Sequence, residues 1–205
     1  MSSSSVDDED LPGPMGSQRV GAYRWVIEWV IILMAVLICT VLLRSYVVQS
    51  FYIPSPSMSP TLQVGDRIMV NKLSYDLHEV HRGDVIVFKR PPLESQDYPD
   101  LVKRVIGMPG DQVSAMNGKV YINGKLLPEP WLPPGPQTYT GPLPGDANPQ
   151  FNMPGPVSVP AGEYFVMGDN RVNSEDSRFF GPIPKSLIVG RAVAVVWPLS
   201  HAKGL

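Results

Sequence analysis

The chain has 205 residues, enough for one catalytic-size domain plus extras, and its formal net charge of −2 supplies no basic field for nucleic-acid phosphates. Its one cysteine, Cys39, forms no intrachain disulfide and no cysteine cluster, and His78, His81 and His201 lack metal-ligand spacing, so neither a metal nor another cofactor is expected. Twenty-three prolines and 18 glycines in a chain that is 43% hydrophobic argue for strands joined by turns around a packed core, against a helix bundle.

Residues 1–22 open on a serine run, continue with Asp7, Asp8, Glu9 and Asp10, and include Pro12, Gly13 and Pro14. They carry too little apolar surface to order themselves, which predicts a flexible cytoplasmic tail. Residues 23–44 are the predicted transmembrane anchor. From Trp25 to Leu43 there are 19 residues with one acidic side chain, Glu28, a length of about 28 Å against a hydrocarbon core of about 30 Å. Glu28 sits one turn inside the end, within reach of headgroups, and Tyr23, Trp25, Trp29 at one end with Tyr46, Phe51, Tyr52 beyond the other have the distribution of interfacial aromatic belts. A buried core helix and a cleavable signal peptide are the alternatives. The second fits poorly, because an acidic stretch precedes the run and no small-residue cleavage site follows Arg44. Arg19 and Arg24 before the run, against Arg44 after it, orient the tail inside and the remainder outside.

Residues 45–205 form the predicted extracytoplasmic domain. Arg67–Val70, Asp84–Phe88, Leu101–Ile106, Val120–Ile122, Glu163–Val166 and Arg191–Trp197 are short, rich in Val, Ile and aromatics, and bounded by turn residues. Asn117-Gly118 and Asn123-Gly124 are hairpin turn signals on either side of Val120–Ile122. The expectation is an all-β sandwich or partly closed barrel. Eleven of the prolines lie between Pro128 and Pro160, and 131–153 reads as a surface insertion loop.

Three stretches carry candidate chemistry. In Pro54-Ser55-Pro56-Ser57-Met58-Ser59-Pro60-Thr61-Leu62 the prolines fix φ and hold the serines in a stiff segment. Lys103 shares a strand face with Leu101 and Val105, an apolar setting in which an amine prefers to be neutral; a pKa near 8 would suit a general base, while a solvated strand lysine beside Arg104 is the bland reading. Gly168-Asp169-Asn170-Arg171 through Ser174-Glu175-Asp176-Ser177-Arg178 is dense in hydrogen-bonding side chains and reads either as a solvated loop or, through its carboxylates, as a metal loop, although the EF-hand spacing is absent. A histidine-based hydrolase has no support, since neither His78 nor His81 lies in a motif that sets it beside a serine.

In this order behind an anchor, the three stretches closely resemble bacterial type I signal peptidase (leader peptidase), a family of serine proteases with a Ser/Lys dyad. The likeness extends to Val64-Gly65-Asp66, Arg82 to Phe88, Val120 to Lys125 and Gly181-Pro182-Ile183, and leaves out the acidic tail and the proline-rich loop. It implies a mainly β catalytic domain behind a single transmembrane helix, acting as a membrane-anchored endopeptidase that removes N-terminal signal peptides from secreted preproteins at the outer face of the cytoplasmic membrane. Its partners would be preprotein signal peptides and the lipid bilayer, with no nucleic acid and no metal. By the same resemblance Ser57 takes the nucleophile position and Lys103 that of the general base, and the Ser57 N–H and Ser55 hydroxyl are the oxyanion donors. Ser174 would orient the lysine, Asp176 and Arg178 would pair to brace their loop, and Met58 would line the substrate site. The sequence departs from the common pattern at Pro56, where many members have glycine. Two rivals remain: a self-cleaving repressor, which would carry a DNA-binding domain where this chain has an apolar run, and a membrane-tethered β module that binds a partner without catalysis.

Overall fold

A computed structural model describes residues 17–91, 99–134 and 155–205. Two compact units divide at Leu43/Arg44.

The described residues of the first belong to one helix, α1 (Ser17–Tyr46), which runs three residues past the division and is long enough at about 1.5 Å per residue for a bilayer with turns to spare. Its stretch Tyr23–Val41 is long and apolar enough to cross a membrane, and none of it is buried against protein. A helix of this length, apolar on all faces, fits membrane anchoring. Trp25 and Trp29 meet edge to face, and the Thr40 hydroxyl donates to the Val36 carbonyl at 2.8 Å, so that polar group is satisfied within the helix. The helix begins inside the stretch assigned to the tail; residues 1–16 of that tail lie outside the described residues.

The second unit is β. Along the chain come β1 (Val48–Tyr52), β2 (Arg67–Asn71), the short helix α2 (Ser74–Leu77), β3 (Val85–Lys89), β4 (Asp100–Gly107), β5 (Gln112–Met116), β6 (Lys119–Ile122), β7 (Lys125–Leu126), β8 (Val157–Ser158), β9 (Glu163–Met167), the short helix α3 (Ser177–Phe180), β10 (Ile183–Pro184), β11 (Ile188–Trp197) and β12 (Lys203–Gly204). Among the described residues they make one antiparallel sheet in the order β1-β2-β11-β3-β4-β9-β10, with β12 beside β11, and a smaller sheet β7-β6-β5-β8. Each of the six expected strand runs lies in a strand, except that Asp84 falls one residue before β3. Irregular register in β11 and between β4 and β9 bends the large sheet, as bulges do.

The reason β3 reads as an unbroken apolar run is that it is buried on both faces. Val85 and Val87 enter a cluster with Met58, Leu62, Ile68 and Val70, whereas Ile86 and Phe88 enter another with Val105, Val166 and Ile183. A third cluster, with Ile106, Val113, Val120 and Phe165, joins the two sheets. Both hairpin signals are turns: Asn117 (φ 53°) with Gly118 (φ 73°), and Asn123 (φ 52°) with Gly124 (φ 75°), pair left-handed conformations that asparagine and glycine tolerate. Of the expected insertion loop 131–153, residues 135–153 lie outside the described residues.

Candidate active site

The segment that carries Ser57 leaves β1 under tight backbone control. Ile53 N donates to Asp66 O at 2.9 Å and Gly65 N to Ile53 O at 3.0 Å. Pro56 then opens a 3₁₀ turn, Pro56–Met58, at a position where its missing N–H is not needed, and Ser59 N closes the turn on Pro56 O at 3.0 Å. Met58, 1% exposed, drives into the core beside Leu62, so Ser57 is displayed on a turn whose next residue is anchored.

Lys103 lies in β4, opposite Ile86 of β3, and is 2% exposed. Burial is the main cause that lowers its pKa to about 8; Arg90 and Arg178 push the same way, and Asp176 and Glu175 oppose them. Roughly a tenth of the amine is then neutral at pH 7. Its Nζ stands 2.8 Å from Ser57 Oγ, and the Ser55 hydroxyl donates to the same Oγ at 3.3 Å. Among the described residues no imidazole meets Ser57: the His81 side chain is 71% exposed near Asp84, and His201 pairs with Asp66.

The loop after β9 forms the back of the site. Asn170 N donates to Ser57 O at 3.0 Å and its side-chain amide to Pro56 O at 3.1 Å. Asp169 receives a two-pronged bond from Arg104, at 2.9 and 2.7 Å. Asp176 caps α3 and is fully buried, accepting from Arg178 Nε and Nη2 at 2.8 Å each and from Gly168 N at 2.9 Å. Burial alone would raise its pKa, but the Arg178 charge, these hydrogen bonds and Lys103 hold it below the usual carboxylate value. The carboxylates suggested for a metal loop are thus taken up by guanidinium groups; Glu175 pairs with Arg90 at 3.2 Å. Ser174 is buried close to Gly168, yet its Oγ has no hydrogen-bond partner, so the orienting bond to Lys103 implied by resemblance is not formed in this structure. Sequence reading missed Arg104 and Gly168 as parts of the site. Arg104 was visible only as the neighbour of Lys103, since its partner Asp169 is 65 positions away.

Beside Ser57 opens a cleft of about 180 Å³, walled by Phe51 to Ser55 with Met58 on one side and by Pro99 to Lys103 on the other. Strand β4 pairs with β9 only from Arg104 onward, so among the described residues Asp100–Lys103 have a strand neighbour on one edge alone.

A hydroxyl in contact with a buried amine of lowered pKa, in an antiparallel β domain, has the makings of a serine hydrolase whose base is lysine. The family model described as signal peptidase, peptidase S26, matches residues 26–197. A probable signal peptidase I-2 of Synechocystis sp. is 40% identical over 77% of this chain and 66% of its own length. A signal peptidase I of Bacillus caldolyticus is 42% identical over 81% of this chain and 89% of its own. A crystal structure of a signal peptidase I from Enterococcus faecalis V583 has 31% identity and a TM-score of 0.45, covering 57% of this chain and 98% of that one. The chain belongs to the signal peptidase family, peptidase S26. It is a serine endopeptidase that cleaves signal peptides, and its apolar N-terminal helix fits membrane anchoring.

Proposed function

We propose that Ser57 is the nucleophile and Lys103 the general base of this peptidase. Neutral Lys103 takes the Ser57 proton as Oγ attacks the carbonyl carbon before the scissile bond, then donates that proton to the departing amine. The resulting acyl-enzyme is opened by water, whose proton passes to Lys103 and on to Ser57 Oγ. The Ser57 N–H and Ser55 hydroxyl stabilise the oxyanion, each such donor being worth about 3 to 4 kcal/mol of barrier. Arg178 and Asp176 brace the loop behind the lysine, Ser174 packs within it, and Met58 shapes the wall of the cleft. The substrate lies extended along the open edge of Asp100–Lys103, where backbone pairing needs no particular side chains.

The observation that carries this reading is the 2.8 Å separation of Lys103 Nζ from Ser57 Oγ, with the lysine 2% exposed. On the membrane side, the reading has α1 spanning the bilayer once, the tail inside and the β domain outside. Ser57 lies fourteen positions after Leu43, so the nucleophile is at most about 50 Å of extended chain from that residue. A membrane-held signal peptide is then met by a search confined to two dimensions.

The test is incubation of the purified full chain in detergent with a signal-peptide-bearing preprotein, comparing wild type with Ser57→Ala and Lys103→Ala and sequencing the new N-terminus. Both variants are expected to be folded and inert; full cleavage by either refutes the dyad. Protease digestion of intact and opened cells tests orientation, and a β domain cut only after opening would place it inside.

A further inference from the structure

The segment that follows β7, Leu127–Pro134, leads toward the proline-rich stretch and lies outside the parts assigned to catalysis. Two of its side chains nevertheless reach the arginines behind the nucleophile. Glu129 forms an ion pair with Arg171, whose side chain is 1% exposed and whose Nε donates to Gly168 O at 2.9 Å. The Trp131 ring covers Arg104, with the guanidinium carbon 4.7 Å from the ring centroid, and packs on Gly83, whose carbonyl accepts from Arg104 Nη1 at 2.7 Å. Arg104 in turn grips Asp169 through both carboxylate oxygens.

These contacts converge on one short piece of backbone. Gly168 lies against the Ser57 carbonyl, and Asn170 bonds both Ser57 O and Pro56 O. Arg171 holds Gly168 and Arg104 holds Asp169, so two adjacent residues of the support behind Ser57 are each fastened by an arginine, and each of these arginines is covered by one residue of 129–131. We infer that Glu129 and Trp131 are positioning residues for cleavage, a two-point clamp that sets the Ser57 turn through Arg171 and Arg104. The inference rests on the assignment of Ser57 and Lys103 as the reacting pair. A displacement of about 1 Å at a reacting group costs up to about a hundredfold in rate, so a clamp two contacts away has leverage on turnover without touching substrate.

Steady-state cleavage of a signal-peptide-bearing preprotein by the full chain in detergent tests this, at a temperature well below each variant's measured unfolding midpoint. Glu129→Gln and Trp131→Ala are each expected to lower kcat by between about tenfold and a hundredfold, with KM within about twofold of wild type, since substrate contacts are unchanged. Trp131→Phe is expected to restore most of kcat, because it keeps a ring over Arg104 and the indole Nε1 has no hydrogen bond to lose. Wild-type kcat in folded Glu129→Gln and Trp131→Ala overturns the clamp, as does a Phe variant as slow as the Ala variant, or a defect confined to KM. An inert Ser57→Ala beside fully active clamp variants overturns this inference alone, whereas retained cleavage by Ser57→Ala removes the assignment beneath it.

Discussion

Gly168 lies so close to Ser174 that a methyl group on its α-carbon would stand 2.2 Å from Ser174 Oγ, and 2.4 Å from the Ser57 carbonyl oxygen. The glycine is required there for space. Since one of the obstructing atoms is backbone of the Ser57 turn, the clash cannot be relieved by a side-chain rotation alone. Gly168→Ala is expected to cost about 1 to 3 kcal/mol of stability, the usual range for overpacking. It should lower kcat by about a hundredfold as the Ser57 turn moves. Urea unfolding and cleavage kinetics measure both, and a variant with wild-type kcat would show that the loop yields without moving Ser57.

With Lys103 as the proposed base, activity acquires a pH dependence of definite direction. Activity should climb as pH rises through about 8, where the buried amine loses its proton, and a flat profile would rule out a titrating lysine. Stability follows with a definite sign. Between about 8 and the ordinary 10.5 the unfolded chain binds the proton that the folded chain has released, so folding becomes more favourable with rising pH over that interval. Lys103→Met lacks this contribution. Against that variant the wild type should gain about 3 kcal/mol across the interval, measured by denaturant unfolding at several pH values; parallel curves would contradict the burial effect.

Asp176 governs the acid side. Its folded pKa is depressed, so the stabilisation it contributes is present above the ordinary value of 3.8 and is lost as pH falls below it. Asp176→Asn removes the carboxylate from the buried Arg178 and is expected to cost about 3 to 5 kcal/mol at neutral pH, with a shallower acid limb. Because Asp176 raises the pKa of Lys103, the residual activity of this variant should have its midpoint at lower pH than wild type. A midpoint moved upward in a cleavage pH profile would reverse the electrostatic argument.

Ser55 donates to Ser57 Oγ at 3.3 Å, and the proposed role has the same hydroxyl donate to the oxyanion. Pro56 occupies the opening position of the 3₁₀ turn, where its missing N–H breaks no bond of the turn. Ser55→Ala should lower kcat by about 100-fold to 1,000-fold with little change in KM. Equal losses in kcat/KM through KM alone would assign Ser55 to substrate binding.

Much of the fold was legible because its signals are local. A 19-residue apolar stretch reads as a helix, and Asn-Gly pairs select a turn through the φ values they tolerate. The run Val85–Phe88 read as a strand from its Val, Ile and Phe content, and the structure buries it on both faces. By contrast β5, Gln112–Met116, was not visible: its alternation is weak, and it exists because β6 and β8 pair with it on either side. The family motifs named Ser57 and Lys103, but no periodicity says that residues 46 positions apart meet at 2.8 Å.

By itself the sequence determined an apolar anchor, a β body and the chemical inventory of the site, since periodicity, turn preference and side-chain type belong to short stretches of chain. Tertiary structure alone decided that the Lys103 amine is dry, that Arg104 belongs to Asp169, and that the Ser174 hydroxyl is left without a bond. Burial and hydrogen-bond satisfaction are set by whatever the rest of the chain brings alongside, and here the partners come from strands and loops far apart in sequence.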